Sequence, residues 1–141
     1  MTGVWVALAA IVGALTFGLY RRLTDGRARS VRPGGVGLDS IDLGMPLGDA
    51  ATLVQFSSAV CAPCQATRRV LATVSAETPL VAHVEIDAET RLDLVERLAI
   101  QRTPTVLVLD RIGTIRHRIV GAARLPEVVA AIRNTVEPQA A

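Results

Sequence analysis

The distribution of apolar and polar residues divides the chain into one uninterrupted apolar segment and a region of shorter, alternating segments. Thr2 to Tyr20 contains no charged residue. At about 1.5 Å per residue, a helix of this length spans roughly 28 Å, enough to cross the hydrocarbon core of a bilayer. Trp5 and Tyr20 stand near its two ends, where amphipathic rings favour the membrane interface. The pattern predicts a single-pass transmembrane anchor within residues 1–23 of a protein of the cell membrane.

Two other interpretations of this apolar segment stay open. A cleavable signal peptide has basic residues before its apolar run, whereas here Arg21 and Arg22 follow the run and no basic residue precedes it. A buried core helix is the second alternative. For a membrane-spanning helix, the positive-inside rule leaves the rest of the chain in the cytoplasm, and an extracytoplasmic domain is the alternative.

Charged residues are distributed unevenly along the chain. Residues 1–37 carry five of the 15 arginines and one acid, Asp25, and residues 24–37 are rich in Gly and Arg without a hydrophobic period. This composition predicts a flexible linker ahead of a domain over residues 38–141. That domain has a small excess of acids, which argues against a nucleic-acid partner.

The predicted domain alternates between strand and helix periodicities. Short apolar or alternating runs indicate strands at Thr52–Ser57, Val81–Ile86, Thr105–Asp110 and Thr114–Val120. Apolar residues at helical spacing indicate helices at Ala62–Glu77, Arg91–Leu98 and Leu125–Val136. The order β-α-β-α-β-β-α predicts an α/β fold with a central mixed sheet flanked by helices.

The only two cysteines, Cys61 and Cys64, lie where a predicted strand ends and a helix begins. Unpaired N–H groups and the positive end of the helix dipole favour the thiolate of Cys61. Cys64 follows one turn later, within bonding distance, and is placed to resolve a mixed disulfide, so the pair predicts thiol–disulfide exchange. A zinc site completed by His83 and His117, or two inert packed cysteines, are the alternatives.

From about Thr52 to Asn134 the sequence resembles thioredoxin. The matching features are the strand before CAPC, VAHVEID at Val81–Asp87, RTPT at Arg102–Thr105, Gly113 and Gly121. The resemblance implies a thioredoxin-like fold and a cis peptide bond at Thr103–Pro104, where the Thr103 backbone pairs with an extended segment of a partner. It also implies that Gly121 lines the partner groove.

Three positions around the cysteines depart from the residues usual in that family. Val60 stands where the family usually has Trp, and Ala62 stands where it has Gly, so the surface that meets a partner differs. Arg69 replaces a helix-kinking proline, which predicts a straighter helix. The pair Ala62-Pro63 between the cysteines is closest to the dipeptide of reducing thioredoxins.

The family's proton-accepting pair is also replaced. The buried acid six residues before the first cysteine is here Gln55, which cannot take a proton from Cys64. The lysine that usually partners this acid is here His83. Because an unperturbed histidine has a pKa of about 6.5, His83 is a candidate proton relay, although a structural role is the alternative.

Together these features predict a membrane-tethered thiol–disulfide oxidoreductase that reduces disulfides in protein partners at the membrane surface. A reductase is expected to supply its electrons, and no cofactor is expected beyond the Cys61–Cys64 disulfide. Two alternatives remain: a non-catalytic adaptor with the same fold that binds a membrane partner, and an extracytoplasmic thiol–disulfide exchange protein.

Overall fold

The computed structural model describes residues 2–31 and 37–137. Met1, residues 32–36 of the predicted linker and the last four residues of the predicted domain lie outside the described residues. The helices are α1 (Thr2–Thr24), α2 (Ser40–Leu43), α3 (Ala62–Glu77), α4 (Leu92–Arg97) and α5 (Leu125–Val136). The strands are β1 (Ala28–Ser30), β2 (Ala51–Ser57), β3 (Val81–Asp87), β4 (Thr105–Asp110) and β5 (Ile115–Val120).

The strands form one mixed sheet in the order β1-β5-β4-β2-β3. β2 pairs parallel with β3 and antiparallel with β4, and β5 pairs antiparallel with both β4 and β1. Every residue of β2 and β4 is buried. Strands covered on both faces carry near-continuous apolar runs, which is why these two were recognisable from the sequence. The predicted α/β fold with a mixed sheet flanked by helices is confirmed.

Successive residues of β2 point to opposite faces of the sheet and so contribute to two separate cores. Val54 and Phe56 belong to a core completed by α4. Leu53 belongs to a second core completed by α3 and α5. Gln55 therefore shares the face that α3 covers, and this alternation places a polar side chain directly under the helix that carries the cysteines.

The predicted linker contains strand β1, which requires a correction. Ala28–Ser30 pair with β5, the Gly26 N–H donates to the Val120 carbonyl (2.9 Å), and the Val31 N–H donates to the Arg116 carbonyl (2.8 Å). Residues 25–31 therefore lie on the sheet edge rather than in a free spacer, and the sheet begins before the predicted boundary at residue 38. Backbone pairing holds this short strand, and Arg29 and Ser30 are exposed, so no hydrophobic period reveals it.

Helix α1 lies outside both cores. The span Gly3–Thr24 has a mean hydropathy of 1.9 and none of it is buried, which contradicts the alternative of a core helix. Length and composition make it a candidate membrane span, although a signal sequence meets the same two criteria. Helix α3 continues without a break across Arg69.

Candidate active site

The two cysteines form a disulfide and differ in their exposure to solvent. Cys61 is the N-cap of α3, and its Sγ accepts a hydrogen bond from the Cys64 N–H (3.2 Å). Cys61 is half-buried, whereas Cys64 is only 2% exposed. Pro63 occupies the first turn, where a helix needs no N–H donor. An incoming sulfur can therefore reach Cys61, while Cys64 can react only from within the protein.

A groove of about 400 Å³ lies beside the disulfide and brings together four residues predicted from the sequence. Pro63, Thr103, Pro104 and Gly121 all line it. The Thr103–Pro104 peptide bond is cis, as the resemblance implied. Two hydrogen bonds fix this arrangement: Gly121 N–H donates to the Pro104 carbonyl (2.8 Å), and the Thr103 hydroxyl bonds that of Ser58 (3.0 Å). Binding of a partner in the groove stays a prediction.

The surface in front of the disulfide is small and apolar. Val60 is 99% exposed, and Ala62 is also exposed. These side chains present two small apolar groups where a tryptophan ring and a glycine would stand in the related family. Their part in partner choice stays a prediction.

The last turn of α1 and the residue that follows the helix line the same groove, which the sequence did not indicate. Arg22 and Asp25 both contribute to its wall. The Asp25 carboxylate forms an ion pair with Arg102, and the Arg124 guanidinium donates to the Arg22 carbonyl (2.7 Å). Gly121 has a φ of +90°, and a Cβ there would lie 3.2 Å from the Asp25 Cγ. The close approach of Asp25 therefore favours glycine at this position.

A chain of hydrogen bonds extends behind Cys64. Gln55 is fully buried, and its Nε2 donates to the Cys64 carbonyl and to the Ser57 hydroxyl, both at 2.9 Å. The Ser57 hydroxyl donates in turn to Glu85 Oε1 (2.6 Å). Arg68 of α3 pairs with the same carboxylate, with 2.6 Å between Nε and Oε2. The chain thus links Cys64 to an ion pair at the protein surface.

His83 lies beside this chain without joining its hydrogen bonds. In the parallel register Gln55 stands opposite Glu85, whereas His83 stands opposite Leu53. The buried Nε2 of His83 has no hydrogen-bond partner. Burial lowers the pKa of His83, and the negative charge of Glu85 offsets this only in part. The proton-relay role of His83 stays a prediction.

Three residues of the hydrogen-bond chain, Ser57, Arg68 and Glu85, were not singled out from the sequence. Burial by itself would raise the pKa of Glu85. Hydrogen bonds from Arg68 and Ser57 together outweigh this effect, so the net shift of the pKa is downward. The available signal was the strand period, because Glu85 follows His83 by two residues and therefore shares its face.

Comparison with known proteins identifies the fold. The protein-family model for thioredoxin matches residues 46–134, more than half of the chain. This protein belongs to the thioredoxin family. Among curated proteins, no sequence matches the chain.

Solved thioredoxin structures are similar to most of the domain. A mutant thioredoxin from Halobacterium salinarum is 22% identical, with 63% of this chain and 77% of that chain covered and a TM-score of 0.56. Thioredoxin NaTrxh from Nicotiana alata is 28% identical, with coverage of 63% and 76% and a TM-score of 0.56. Mitochondrial thioredoxin 3 from Saccharomyces cerevisiae is 20% identical, with coverage of 61% and 79% and a TM-score of 0.54.

The thioredoxin fold and the cysteine pair together support thiol–disulfide oxidoreductase chemistry. The close Cys61–Cys64 pair lies at the start of α3. As for the zinc alternative, within residues 2–31 and 37–137 no three His, Cys, Asp or Glu side chains gather into a group that could hold a metal ion.

Proposed function

We propose that this thioredoxin is tethered to a membrane and reduces disulfides in protein partners through Cys61 and Cys64. The observation that carries the proposal is the arrangement of the two sulfurs. Cys61 is reachable and receives the Cys64 N–H at its Sγ, while Cys64 is buried one turn behind it. The N-terminus of α3 stabilises a negative charge on Cys61 and thus favours it as the attacking group.

The proposed reaction moves two electrons from the cysteine pair to the partner. The Cys61 thiolate attacks one sulfur of the partner's disulfide, which forms a mixed disulfide and releases the other partner sulfur as a thiolate that takes up a proton. Cys64 then loses its proton and attacks Cys61 Sγ, so the partner's second sulfur leaves as a thiolate and is protonated. The protein is left with the Cys61–Cys64 disulfide, and a dithiol of a reductase returns it to the reduced form by the reverse exchange.

The residues between the two cysteines favour a reductant over an oxidant. The Ala62-Pro63 dipeptide resembles that of reducing thioredoxins. Such pairs have potentials near about −270 mV, against roughly −120 mV for a strong oxidant. Partners are therefore proteins whose disulfides are less stable than the Cys61–Cys64 disulfide. The proposed exchange uses no cofactor, because the reduced Cys61–Cys64 pair itself carries the two electrons.

Tethering is supported by the exposed apolar helix α1 and by the two arginines in its last turn. Basic residues after the span favour a cytoplasmic domain under the positive-inside rule. Arg22 lies in the last turn of α1 and Asp25 directly follows the helix, and both line the groove beside the disulfide. A partner segment in that groove therefore lies close to the membrane surface.

A Cys64→Ser variant expressed in cells tests the proposed exchange. Without the resolving thiol, mixed disulfides with partners should accumulate through Cys61 and disappear on reduction. The matched control is Cys61→Ser with Cys64→Ser, which should capture none. Equal recovery from both variants, together with full cellular function of the double variant, would instead identify the non-catalytic adaptor.

The side of the membrane is tested with a thiol reagent that does not cross membranes. With the domain in the cytoplasm, reduced Cys61 should be labelled only after the cells are permeabilised. Labelling in intact cells would establish the extracytoplasmic alternative, with the same cysteine chemistry and a different electron donor.

A further inference from the structure

A second cleft, of about 530 Å³, lies between the end of α1 and the β1–β5 edge of the sheet. Its wall contains the five arginines Arg21, Arg27, Arg29, Arg102 and Arg118. Asp25 is the one carboxylate among its lining residues, and it already pairs with Arg102. The cleft therefore carries an excess of positive charge that its own residues do not neutralise.

Two of these arginines stand directly opposite each other. Arg29 of β1 is the register partner of Arg118 of β5. Like charges at opposite positions of an antiparallel pair destabilise it, so an anion between them would relieve the repulsion. Arg118 is half-buried and donates to the carbonyls of Leu98 (2.7 Å) and Ala99 (3.2 Å). These carbonyls hold its guanidinium in place but supply no negative charge to balance it.

The position of the cleft indicates where its ligand comes from. Phe17 and Tyr20 of α1 line the same cleft as the arginines. Both rings lie toward the end of the candidate membrane span, where the amphipathic ring of Tyr20 favours the headgroup level. The cleft is thus bordered by the apolar helix on one side and by guanidinium groups on the other. A phospholipid could place its acyl chains along the helix and its phosphate against the guanidinium groups.

We propose that this cleft binds the phosphate of an anionic phospholipid, with Arg29 and Arg118 as its principal ligands. Guanidinium groups suit this role because their fork of donors matches two phosphate oxygens at once. Clusters of arginine beside a membrane span are attracted to anionic lipids for the same reason. The inference rests on the membrane tether of the proposed function. A bound headgroup would hold the domain against the bilayer by a second contact besides α1.

Native mass spectrometry of the full chain in detergent micelles tests the site, with phosphatidylglycerol and phosphatidylcholine as probes. The chain should retain phosphatidylglycerol in clear preference to phosphatidylcholine. Arg29→Gln should lower retention of phosphatidylglycerol about tenfold, the effect of losing one charge-assisted hydrogen bond. The matched control is Arg69→Gln, an exposed arginine of α3 outside the cleft, which should retain the lipid as the wild type does. Both variants should still reduce a soluble disulfide, which confirms that they are folded.

Three outcomes would overturn the lipid site. These are equal retention of the two lipids, equal retention by Arg29→Gln and Arg69→Gln, and full displacement of the lipid by excess inorganic phosphate, which would indicate a site for free phosphate. Flotation of the chain with neutral phosphatidylcholine vesicles tests the tether separately. A chain that floats but shows no lipid preference would refute this inference and leave the proposed function intact.

Discussion

Gln55 occupies the position from which thioredoxins usually accept the proton of the resolving cysteine. Its Nε2 supports the Cys64 carbonyl, but its Oε1 is buried without a partner. An amide at this position holds the backbone in place and cannot take up a proton. The resolving step of this protein therefore depends on another acceptor or on solvent.

Gln55→Asp should speed turnover of a disulfide substrate near neutral pH. A carboxylate behind Cys64 can accept its proton, and the gain should be about tenfold or more. The measurement is the pH–rate profile of disulfide reduction. The control is Gln55→Asn, which shortens the side chain equally and keeps the amide, and it should not accelerate the reaction. An unchanged pH–rate profile in Gln55→Asp would show that the lack of a carboxylate behind Cys64 does not limit the reaction.

The two histidines predict how stability depends on pH. Burial lowers the pKa of both His83 and His117 from the ordinary value of 6.5. The unfolded chain then binds more protons than the folded one below about pH 6.5, so the free energy of unfolding should fall as the pH drops through that value. Urea unfolding at about pH 7.5 and 5.5 measures this loss.

The control for that loss is the double variant His83→Gln with His117→Gln. Its free energy of unfolding should change little between the same two pH values. The pKa values of Glu85 and Asp110 are lowered from their ordinary values of about 4. The stability that these carboxylates contribute is therefore lost only at more acidic pH, and it does not mask the effect of the histidines. A double variant that retains the full acid loss would disprove the assignment to the histidines.

At the scale of elements, the attachment of β1 depends on Gly26. Its φ is +77°, and a Cβ there would lie 2.2 Å from the Ala122 carbonyl oxygen. Gly26→Ala should therefore detach the start of β1 and increase hydrogen exchange of the Val31 N–H several-fold. Gly44→Ala is the matched control, because φ is +69° there but a Cβ would have nothing within 4 Å. Equal exchange of the Val31 N–H in both variants would refute the assignment of the effect to the contact with Ala122.

Elements with their own internal signals were predictable from the sequence. The bounds of α3 and α5 agree with the structure residue by residue, because each combines proline in its first turn with apolar side chains on one face. β1 and α2 carry no such period. β1 is held by backbone pairing with β5, and α2 is one short turn stabilised by a capping box between Asp39 and Asp42.

The candidate site was predictable to the same degree. The Cys61–Cys64 pair follows from a short local pattern, whereas the cis bond at Pro104 follows only from the resemblance to thioredoxin. Glu85 belongs to the site only through the register of two parallel strands and through the reach of Arg68 from α3. A single sequence contains no signal for that register, so contacts of this kind require the folded structure.

At the scale of the molecule, the proposed tether should act by raising the local concentration of the active site at the membrane. Removing residues 2–20 should leave reduction of a soluble disulfide peptide unchanged and should slow reduction of the same peptide anchored to vesicles about a hundredfold. The peptide in its soluble form is the control. Equal slowing of both reactions would indicate that α1 supports the fold of the domain instead.

The position of β1 at the end of the sheet has a consequence for proteolysis between α1 and the rest of the chain. β1 is the last strand of the sheet at that end, and it covers the outer side of β5. An enzyme that releases the domain by cutting after Ser30 would remove this cover and expose the backbone donors and acceptors of β5. Open strand edges pair with other chains, so the domain released by this cut should self-associate. A cut before Asp25 would leave β1 in place and should yield a fragment that does not self-associate.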